Sequence, residues 1–291
     1  MIPQTELSTY RAVLAEAERA LHAAGVATPR LDAEVLLAAA MRRDRTALYA
    51  HLGDMVNDDV LDRFWAMIRR REQRQPVAYI TETREFWSLP FLVTPAVLIP
   101  RPETELLVQA ACDHLAQRRN PVVCDVGTGS GCIAVAVARE LPTVRVVALD
   151  VSPTALEVAR RNAVLHGVED RVRLICTDLF DGVAAGVEFD LVVSNPPYVA
   201  VGATLMEETS YEPQGAFFAG ALGLDTIRRL VHAVPCRLRP GAQLVMELGE
   251  GQEAAVRRIA LASDLFPIEV RRDLADIPRV LVARRCGESN G

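Results

Sequence analysis

The run Asn195-Pro196-Pro197-Tyr198 contains the residues whose types and order most clearly predict chemistry. It follows the apolar segment 189–194, which has the composition of a buried strand. Two consecutive prolines donate no backbone hydrogen bond and fix φ, so the chain must leave the sheet at Asn195 in a stiff geometry. The Asn195 side chain offers a carbonyl acceptor without being a base, which suits a neutral planar NH2 group at the carboxyl edge of a sheet. Taken alone, the four residues also fit an ordinary Asn-Pro loop.

A glycine-rich turn, Gly127-Thr128-Gly129-Ser130-Gly131, predicts a site where the backbone approaches a ligand closely. The turn follows a buried strand and precedes a helix, and glycine adopts conformations that other residues avoid. The spacing is G-x-G-x-G, whereas the dinucleotide-binding fingerprint needs a further glycine at the position of Cys132. The turn alone is therefore a weak indication of the ligand.

Two acidic residues strengthen the prediction of a nucleoside ligand. Asp150 ends the next strand, 19 residues after Gly131, where an acid accepts hydrogen bonds from ribose hydroxyls in folds of this kind. On its own, Asp150 could equally cap the helix that begins at Ser152-Pro153. Asp178 follows the third strand and could accept a hydrogen bond from an adenine amino group, while Leu179 packs on the ring or offers its backbone N–H. Three ligand-type positions after three successive strands together favour a nucleoside site.

The elements that must position these residues alternate between strand and helix from residue 121 onward. The predicted strands are 121–126, 144–149, 171–176, 188–194, 242–248, 266–272 and 279–284. The predicted helices are 103–119, 130–140, 153–166, 222–238 and 250–262. Such alternation indicates an α/β fold with a mostly parallel, doubly wound sheet. The short connection between the last two strands predicts an antiparallel pair at one end.

The first 75 residues predict a small helical domain that begins near Glu6. Gly25 ends its first helix, Thr28-Pro29 opens the second, Asp44 caps the third and Asn57 starts the fourth. The domain contains no catalytic constellation, so we assign it to substrate docking.

The helical domain ends in an arginine cluster over residues 69–74. A solvated helix end, where cations complement the macrodipole, is the favoured interpretation. A contact patch for an acidic partner is the alternative.

Short β-prone runs follow at 77–80, 85–87 and 91–93, which predict a β-hairpin linker over 76–102. The remaining residues, 103–291, form the predicted α/β domain.

Composition excludes several classes of function. The net charge is −6 over 291 residues, which does not favour nucleic acid as a partner. The five histidines are not at ligand spacing, so no metal site is expected. The six cysteines form no C-x-x-C pair, and the N-terminus lacks the layout of a signal peptide. The chain also has no long uncharged apolar run. We therefore expect a reduced, cytoplasmic protein with no membrane partner.

The motifs together resemble those of class I S-adenosylmethionine-dependent methyltransferases that modify amino groups. The resemblance is closer still to one family, the peptide chain release factor glutamine N5-methyltransferases (PrmC/HemK). Segments similar to that family lie at 84–87, 98–105, 194–198, 211–213, 246–249 and 273–275. The resemblance covers nearly the whole chain, although the first thirty residues contribute little. Asp276 departs from the family pattern, in which a glycine is expected, and this puts the local turn in doubt.

The resemblance implies a Rossmann-like class I methyltransferase fold with an N-terminal helical domain and a β-hairpin linker. It implies S-adenosyl-L-methionine as cofactor and release factors as the protein substrate. The acceptor would be the side-chain amide nitrogen of the glutamine in their Gly-Gly-Gln motif. The expected cofactor-binding residues are Gly127, Thr128, Gly129, Ser130, Gly131, Asp150, Asp178, Leu179 and Asn195.

The catalytic residues implied are Asn195, Pro196 and Tyr198, and Pro197 joins them in binding the substrate. We expect the Asn195 side-chain oxygen and the Pro196 carbonyl to accept the two amide hydrogens, and Tyr198 to pack against the flat amide. For Glu247, near the same sheet edge, a structural hydrogen bond is the favoured interpretation.

A DNA or RNA amino-methyltransferase is the closest alternative, because exocyclic base amines are also planar nitrogens. The acidic charge balance and the lack of a long basic stripe count against it. A non-catalytic nucleoside-binding protein or an oxidoreductase could also contain such a glycine turn. The intact Asn195–Tyr198 run counts against both, and the G-x-G-x-G spacing counts against the oxidoreductase.

Overall fold

The computed structural model describes residues 9–285 and divides them into two compact units. The first contains residues 9–83 together with 205–211, and the second contains residues 84–204 and 212–285. This division differs from the predicted boundaries, since residues 76–83 and 205–211 both group with the helical unit. The predicted helix start at Glu6 and both chain ends lie outside the described residues.

Within residues 9–83 the first unit has five helices. They are α1 (Tyr10–Ala23), α2 (Pro29–Met41), α3 (Arg45–Ala50), α4 (Asp58–Glu72) and α5 (Val77–Thr81). Their apolar faces meet in one core around Leu14, Leu36 and Phe64, all fully buried. The helix boundaries predicted from the sequence for the first four are confirmed where the structure describes them. Asp44 and Asn57 cap α3 and α4 by accepting hydrogen bonds from backbone N–H groups.

The arginine cluster at the end of α4 is not the solvated helix end that the sequence favoured, so that prediction is wrong. The side chain of Arg71 is only 7% exposed and donates to Asp32 of α2 at 2.7 Å. Arg71 and Arg74 both pair with Glu208, at 3.1 and 2.7 Å. The acidic partner of the cluster is therefore the chain's own segment 205–211. A run of charged residues in the sequence does not show which distant segment of the chain pairs with it.

Residues 77–81 form helix α5 rather than the predicted β-prone run, which is a second correction. A short apolar run has no periodicity that separates strand from helix, and here Ile80 completes the helical core. The hairpin itself is confirmed as β1 (Thr83–Phe86) and β2 (Leu89–Leu92). Its turn residues Trp87 and Ser88 have φ of 54° and 55°, as a tight hairpin turn requires.

The second unit is built on a seven-stranded sheet. Its strands are β3 (Val122–Val126), β4 (Arg145–Asp150), β5 (Val172–Cys176), β6 (Phe189–Ser194), β7 (Leu238–Glu247), β8 (Leu265–Arg272) and β9 (Pro278–Arg285). The strand order is β5-β4-β3-β6-β7-β9-β8, in which only β9 runs antiparallel to its neighbours. The antiparallel pair predicted at one end is therefore confirmed.

Helices cover both faces of this sheet, as the doubly wound prediction requires. They are α6 (Glu105–Leu115), α7 (Cys132–Glu140), α8 (Pro153–Leu165), α9 (Asp225–Ala233) and α10 (Glu253–Leu261). Two apolar clusters form, one on each face, and all six residues of β6 are buried between them. Central parallel strands are buried on both faces, which explains their continuous apolar runs. Helix α9 is shorter than predicted, because a 3-10 turn at Val234–Arg237 leads into a longer β7.

The carboxyl ends of the central strands meet at one edge of the sheet. Val126 of β3 pairs with Leu149 of β4 on one side and with Ser194 of β6 on the other. Ser194 in turn pairs with Met246 of β7. This register places the residues at and just after these strand ends along one edge of the sheet. They are the glycine turn, Asp150, Asn195 and Glu247. No helix within residues 9–285 is long and apolar enough to cross a membrane.

Candidate active site

The glycine turn leaves β3 in a backbone geometry that favours glycine. Gly127, Gly129 and Gly131 have φ of 75°, 55° and 79°. A Cβ added at Gly127 or Gly129 would point into open space, so both leave room for a ligand. A Cβ at Gly131 would lie 3.0 Å from the Cβ of Ala159, so this glycine lets α7 and α8 pack closely.

Asp150 holds the turn in place from the end of β4. Its Oδ2 accepts from the Gly129 N–H at 2.8 Å, and its Oδ1 accepts from the Ser152 N–H at 2.9 Å. The N-cap of α8 is Ser152, whose hydroxyl accepts from the Ala155 N–H. Each carboxylate oxygen of Asp150 retains a lone pair after these bonds, so the side chain can still accept from a ribose hydroxyl.

Asp178 and Leu179 follow β5 at the same edge. One oxygen of Asp178 accepts a hydrogen bond from Arg229 of α9 at 2.7 Å, and both side chains are largely exposed. Leu179 has φ of 45°, a left-handed conformation that is rare for a residue with a branched apolar side chain. Strain of this kind clusters at ligand sites.

These residues surround one cleft of about 410 Å³ in the second unit. The predicted site residues that line it are Gly127, Gly129, Asp150, Asp178, Leu179, Asn195, Pro196 and Pro197. The other predicted residues, Thr128, Ser130, Gly131 and Tyr198, are not part of this lining. Thr128 and Ser130 are buried within the turn, and the Thr128 hydroxyl donates to Asp125 at 2.6 Å.

The Asn195 side chain is held by a chain of hydrogen bonds. Its Nδ2 donates to the hydroxyl of Thr104 at 3.1 Å, and this hydroxyl donates to Glu247 Oε2 at 2.7 Å. The hydroxyl of Tyr198 donates to the other oxygen of Glu247 at 3.1 Å. The structural hydrogen bond expected for Glu247 is thus present, and each of its two carboxylate oxygens accepts one. Because Nδ2 is engaged, Asn195 keeps its Oδ1 as an acceptor.

Burial sets the electrostatics of this chain of bonds. Glu247 is 1% exposed, and burial raises the pKa of its carboxyl to about 7 against the hydrogen bonds that lower it. Burial also raises the pKa of Tyr198 well above its ordinary value, with a further contribution from the Glu247 charge. Tyr198 therefore stays a neutral hydrogen-bond donor.

Glu212 joins two segments that are far apart in sequence. Its carboxylate accepts from the Ile99 N–H at 2.9 Å and from Arg101 at 2.6 Å. Leu98 and Pro213, next to these contacts, both line the cleft. The approach to α6 is thus fixed by a buried carboxylate, where the sequence suggested only a linker before a helix.

The carbonyl side of Tyr198 is fixed by a second set of contacts. Its backbone oxygen accepts from Gln252 Nε2 at 2.9 Å. Gly223, with φ of 66°, lies so close that an added Cβ would overlap this carbonyl. The run 195–198 is therefore held at both ends.

Sequence reasoning did not assign a site role to several of these residues. Thr104, Glu212, Gly223 and Arg229 are the main ones. Thr104 and Glu212 do lie in the runs 98–105 and 211–213 that resemble the methyltransferase family. These runs therefore included both residues, but they did not show which residues Thr104 and Glu212 contact. Within residues 9–285, no group of three side chains that could hold a metal ion occurs.

Comparisons with known proteins agree with this fold. The domain described as "PrmC N-terminal domain" matches residues 12–81, and "Methyltransferase small domain" matches residues 102–210. The 16S rRNA N2 G1207 methyltransferase of T. thermophilus, solved with AdoMet and guanosine, has a TM-score of 0.52 and is 19% identical. The match covers 70% of this chain and 49% of that one, which shows a shared fold. The fold and site define a class I methyltransferase.

Similarity over the full length defines the family. The release factor glutamine methyltransferase of Geobacter sulfurreducens is 42% identical over 98% of this chain and 99% of its own length. That of Moorella thermoacetica is 42% identical over 95% and 99%. The chain belongs to the release factor glutamine methyltransferase family.

Proposed function

We propose that the protein transfers a methyl group from S-adenosyl-L-methionine to the side-chain amide nitrogen of the glutamine in the Gly-Gly-Gln motif of peptide chain release factors. The observation that carries this proposal is the neutral acceptor at Asn195, fixed by Thr104 at the edge of a nucleoside-sized cleft. Membership of the family supports the choice of glutamine over other planar NH2 groups.

The lining of the cleft fits the proposed cofactor. Gly127 and Gly129 leave open space above the turn, and Asp150 has free lone pairs for ribose hydroxyls. Asp178 has one carboxylate oxygen without a bond to Arg229, which suits an adenine amino group. When bound, S-adenosylmethionine supplies an electrophilic methyl group on a sulfonium sulfur.

The residues of the run 195–198 would position the acceptor. The Asn195 Oδ1 and the Pro196 carbonyl accept the two hydrogens of the glutamine amide, which directs the nitrogen lone pair along the line of attack. Such positioning supplies up to roughly 7–11 kcal/mol in favourable cases. Both oxygens also stabilise positive charge as the nitrogen–carbon bond forms and the carbon–sulfur bond breaks. The methylated nitrogen becomes acidic and loses one proton to water, so no general base is required.

The helical unit has no catalytic constellation of its own, and we assign it to docking the release factor. Since its proposed substrate works in translation, we place the protein in the cytoplasm. Direct binding of nucleic acid is not part of the proposal, because the net charge is −6.

Methyl transfer from labelled S-adenosylmethionine tests the proposal. Three acceptors are offered in parallel: a release factor, the same factor with alanine in place of the Gly-Gly-Gln glutamine, and total nucleic acid. We expect label on the unaltered factor alone. Label on nucleic acid, or equal label on both forms of the factor, would contradict the proposed substrate.

A further inference from the structure

We propose that Thr104 and Glu247 are positioning residues that decide which atom of the Asn195 amide faces the acceptor. This inference rests on the proposed function, because it explains how one acceptor of the reaction is kept in the right orientation. It adds two buried residues that do not line the cleft.

The orientation starts from Glu247, which is acceptor-only when ionised. Thr104 has a single hydroxyl proton, and its oxygen lies 2.7 Å from Glu247 Oε2. The proton of Thr104 must therefore point to the carboxylate. The Thr104 oxygen can then offer only a lone pair to Asn195.

That constraint fixes the orientation of the Asn195 amide. A lone pair on Thr104 accepts from an NH2 group and repels a carbonyl, so Nδ2 must face Thr104, as found at 3.1 Å. The Oδ1 atom is then directed away from Thr104, where the proposed acceptor amide needs it. If Thr104 instead donated to Asn195, the amide would turn over and present its NH2 to the NH2 of the substrate.

Tyr198 reinforces the same arrangement. Its hydroxyl donates to Glu247 Oε1 at 3.1 Å, so both carboxylate oxygens receive a proton donor. Thr104 is 2% and Glu247 is 1% exposed, so water does not compete for these bonds. The direction of every hydrogen bond in the chain follows from one ionised carboxylate.

The charge on Glu247 makes the orientation depend on pH. Burial, with a smaller contribution from the Glu103 charge, raises its pKa to about 7 against the hydrogen bonds from Thr104 and Tyr198 and the Arg279 charge, which lower it. Two other groups near Glu247 stay neutral, because burial raises the pKa of Tyr198 above its ordinary value and that of Cys132 to about 12. Protonated Glu247 can donate to Thr104 and release the Thr104 proton towards Asn195. Activity should therefore fall on the acid side, with a midpoint at about 7.

The first test compares Thr104→Val with Thr104→Ser in steady-state kinetics with release factor and S-adenosylmethionine. Valine keeps the shape and removes the hydroxyl, whereas serine restores it. We expect Thr104→Val to lower kcat by roughly 10-fold to 100-fold, the usual cost of losing a buried hydrogen-bond partner. The Kd for S-adenosylmethionine should stay within about threefold of wild type, and Thr104→Ser should recover most of kcat. Wild-type kcat in Thr104→Val overturns the inference.

The second test is the pH profile of kcat for wild type and Glu247→Gln. The neutral glutamine suits a buried position that disfavours charge, so this variant should fold. It tests the inference even if Thr104→Val does not fold. We expect an acid limb in wild type and a lower, pH-independent kcat in Glu247→Gln. An unchanged acid limb at wild-type rate in the variant overturns the inference. Wild-type enzyme that transfers no methyl group to glutamine refutes the proposed function instead.

Discussion

Replacing Asn195 by aspartate exchanges the side-chain NH2 group for a carboxylate oxygen and should nearly abolish methyl transfer. The new carboxylate lies less than about 6 Å from that of Glu247, because the two hydrogen bonds at Thr104 measure 3.1 and 2.7 Å. At an effective dielectric constant near 20, two like charges at about 6 Å repel by about 3 kcal/mol. The Thr104 lone pair also loses its donor, at a cost of about 1–3 kcal/mol.

The expected result of Asn195→Asp is a kcat reduced by about 100-fold or more at pH 8 in enzyme saturated with S-adenosylmethionine. Asn195→Ala is the matched control, since it removes the acceptor without adding charge. Repulsion between the introduced carboxylate and Glu247 raises the pKa of this pair of carboxyl groups, so the deficit of the aspartate variant should shrink as pH falls towards 6. A variant that keeps more than about a tenth of wild-type kcat at pH 8 would show that a neutral acceptor is not needed at this position.

Three further predictions concern the cofactor and the turns. Asp150→Asn places an amide NH2 against a backbone N–H, and isothermal titration should show the Kd for S-adenosylmethionine rising by about 10-fold to 100-fold; an unchanged Kd would remove Asp150 from the site. Gly223→Ala should lower the melting temperature and kcat through overlap with the Tyr198 carbonyl, whereas Gly202→Ala, also at positive φ but facing open space, should have a smaller effect on both. Asp276→Gly should change the free energy of unfolding by less than about 1 kcal/mol in urea titration, because relief of a left-handed residue is offset by a freer unfolded chain, and a larger change would contradict this balance.

Asp276 shows how a departure from a family pattern can leave the structure intact. A glycine is expected at this position, and the structure gives Asp276 a φ of 61°. The turn forms nevertheless, with the Asp276 N–H donating to the Asp273 carbonyl and Asp273 pairing with Arg279 at 2.7 Å. Aspartate tolerates the left-handed region better than most residues, so the doubt about this turn is removed.

The sheet and its ligand-type residues could be predicted because their causes are local. Apolar runs of strand length, helix caps such as Asp44 and Asn57, and the glycine turn each act over a few residues. The order of strands places their carboxyl ends at one edge, so Asp150 and Asn195 could be assigned to one site before their contacts were known. The predicted roles of individual site residues in binding remain predictions.

Contacts between distant segments could not be predicted in the same way. Thr104 and Glu247 are 143 positions apart, and Arg71 and Glu208 are 137 apart. Such pairs depend on the packed fold, and no spacing rule in the sequence encodes them. The same holds for α5, where burial of Ile80 against the helical core decided the conformation of an ambiguous apolar run.

Tandem mass spectrometry of a release factor, after incubation with the enzyme and S-adenosylmethionine, is the decisive measurement of the proposed function. We predict a single added methyl group on the side-chain nitrogen of the Gly-Gly-Gln glutamine, and far less of it after the same incubation time when the Asn195→Asp variant replaces the wild-type enzyme. A methyl group on any other residue, or an unmodified factor in the presence of folded, cofactor-bound enzyme, would contradict the proposed function.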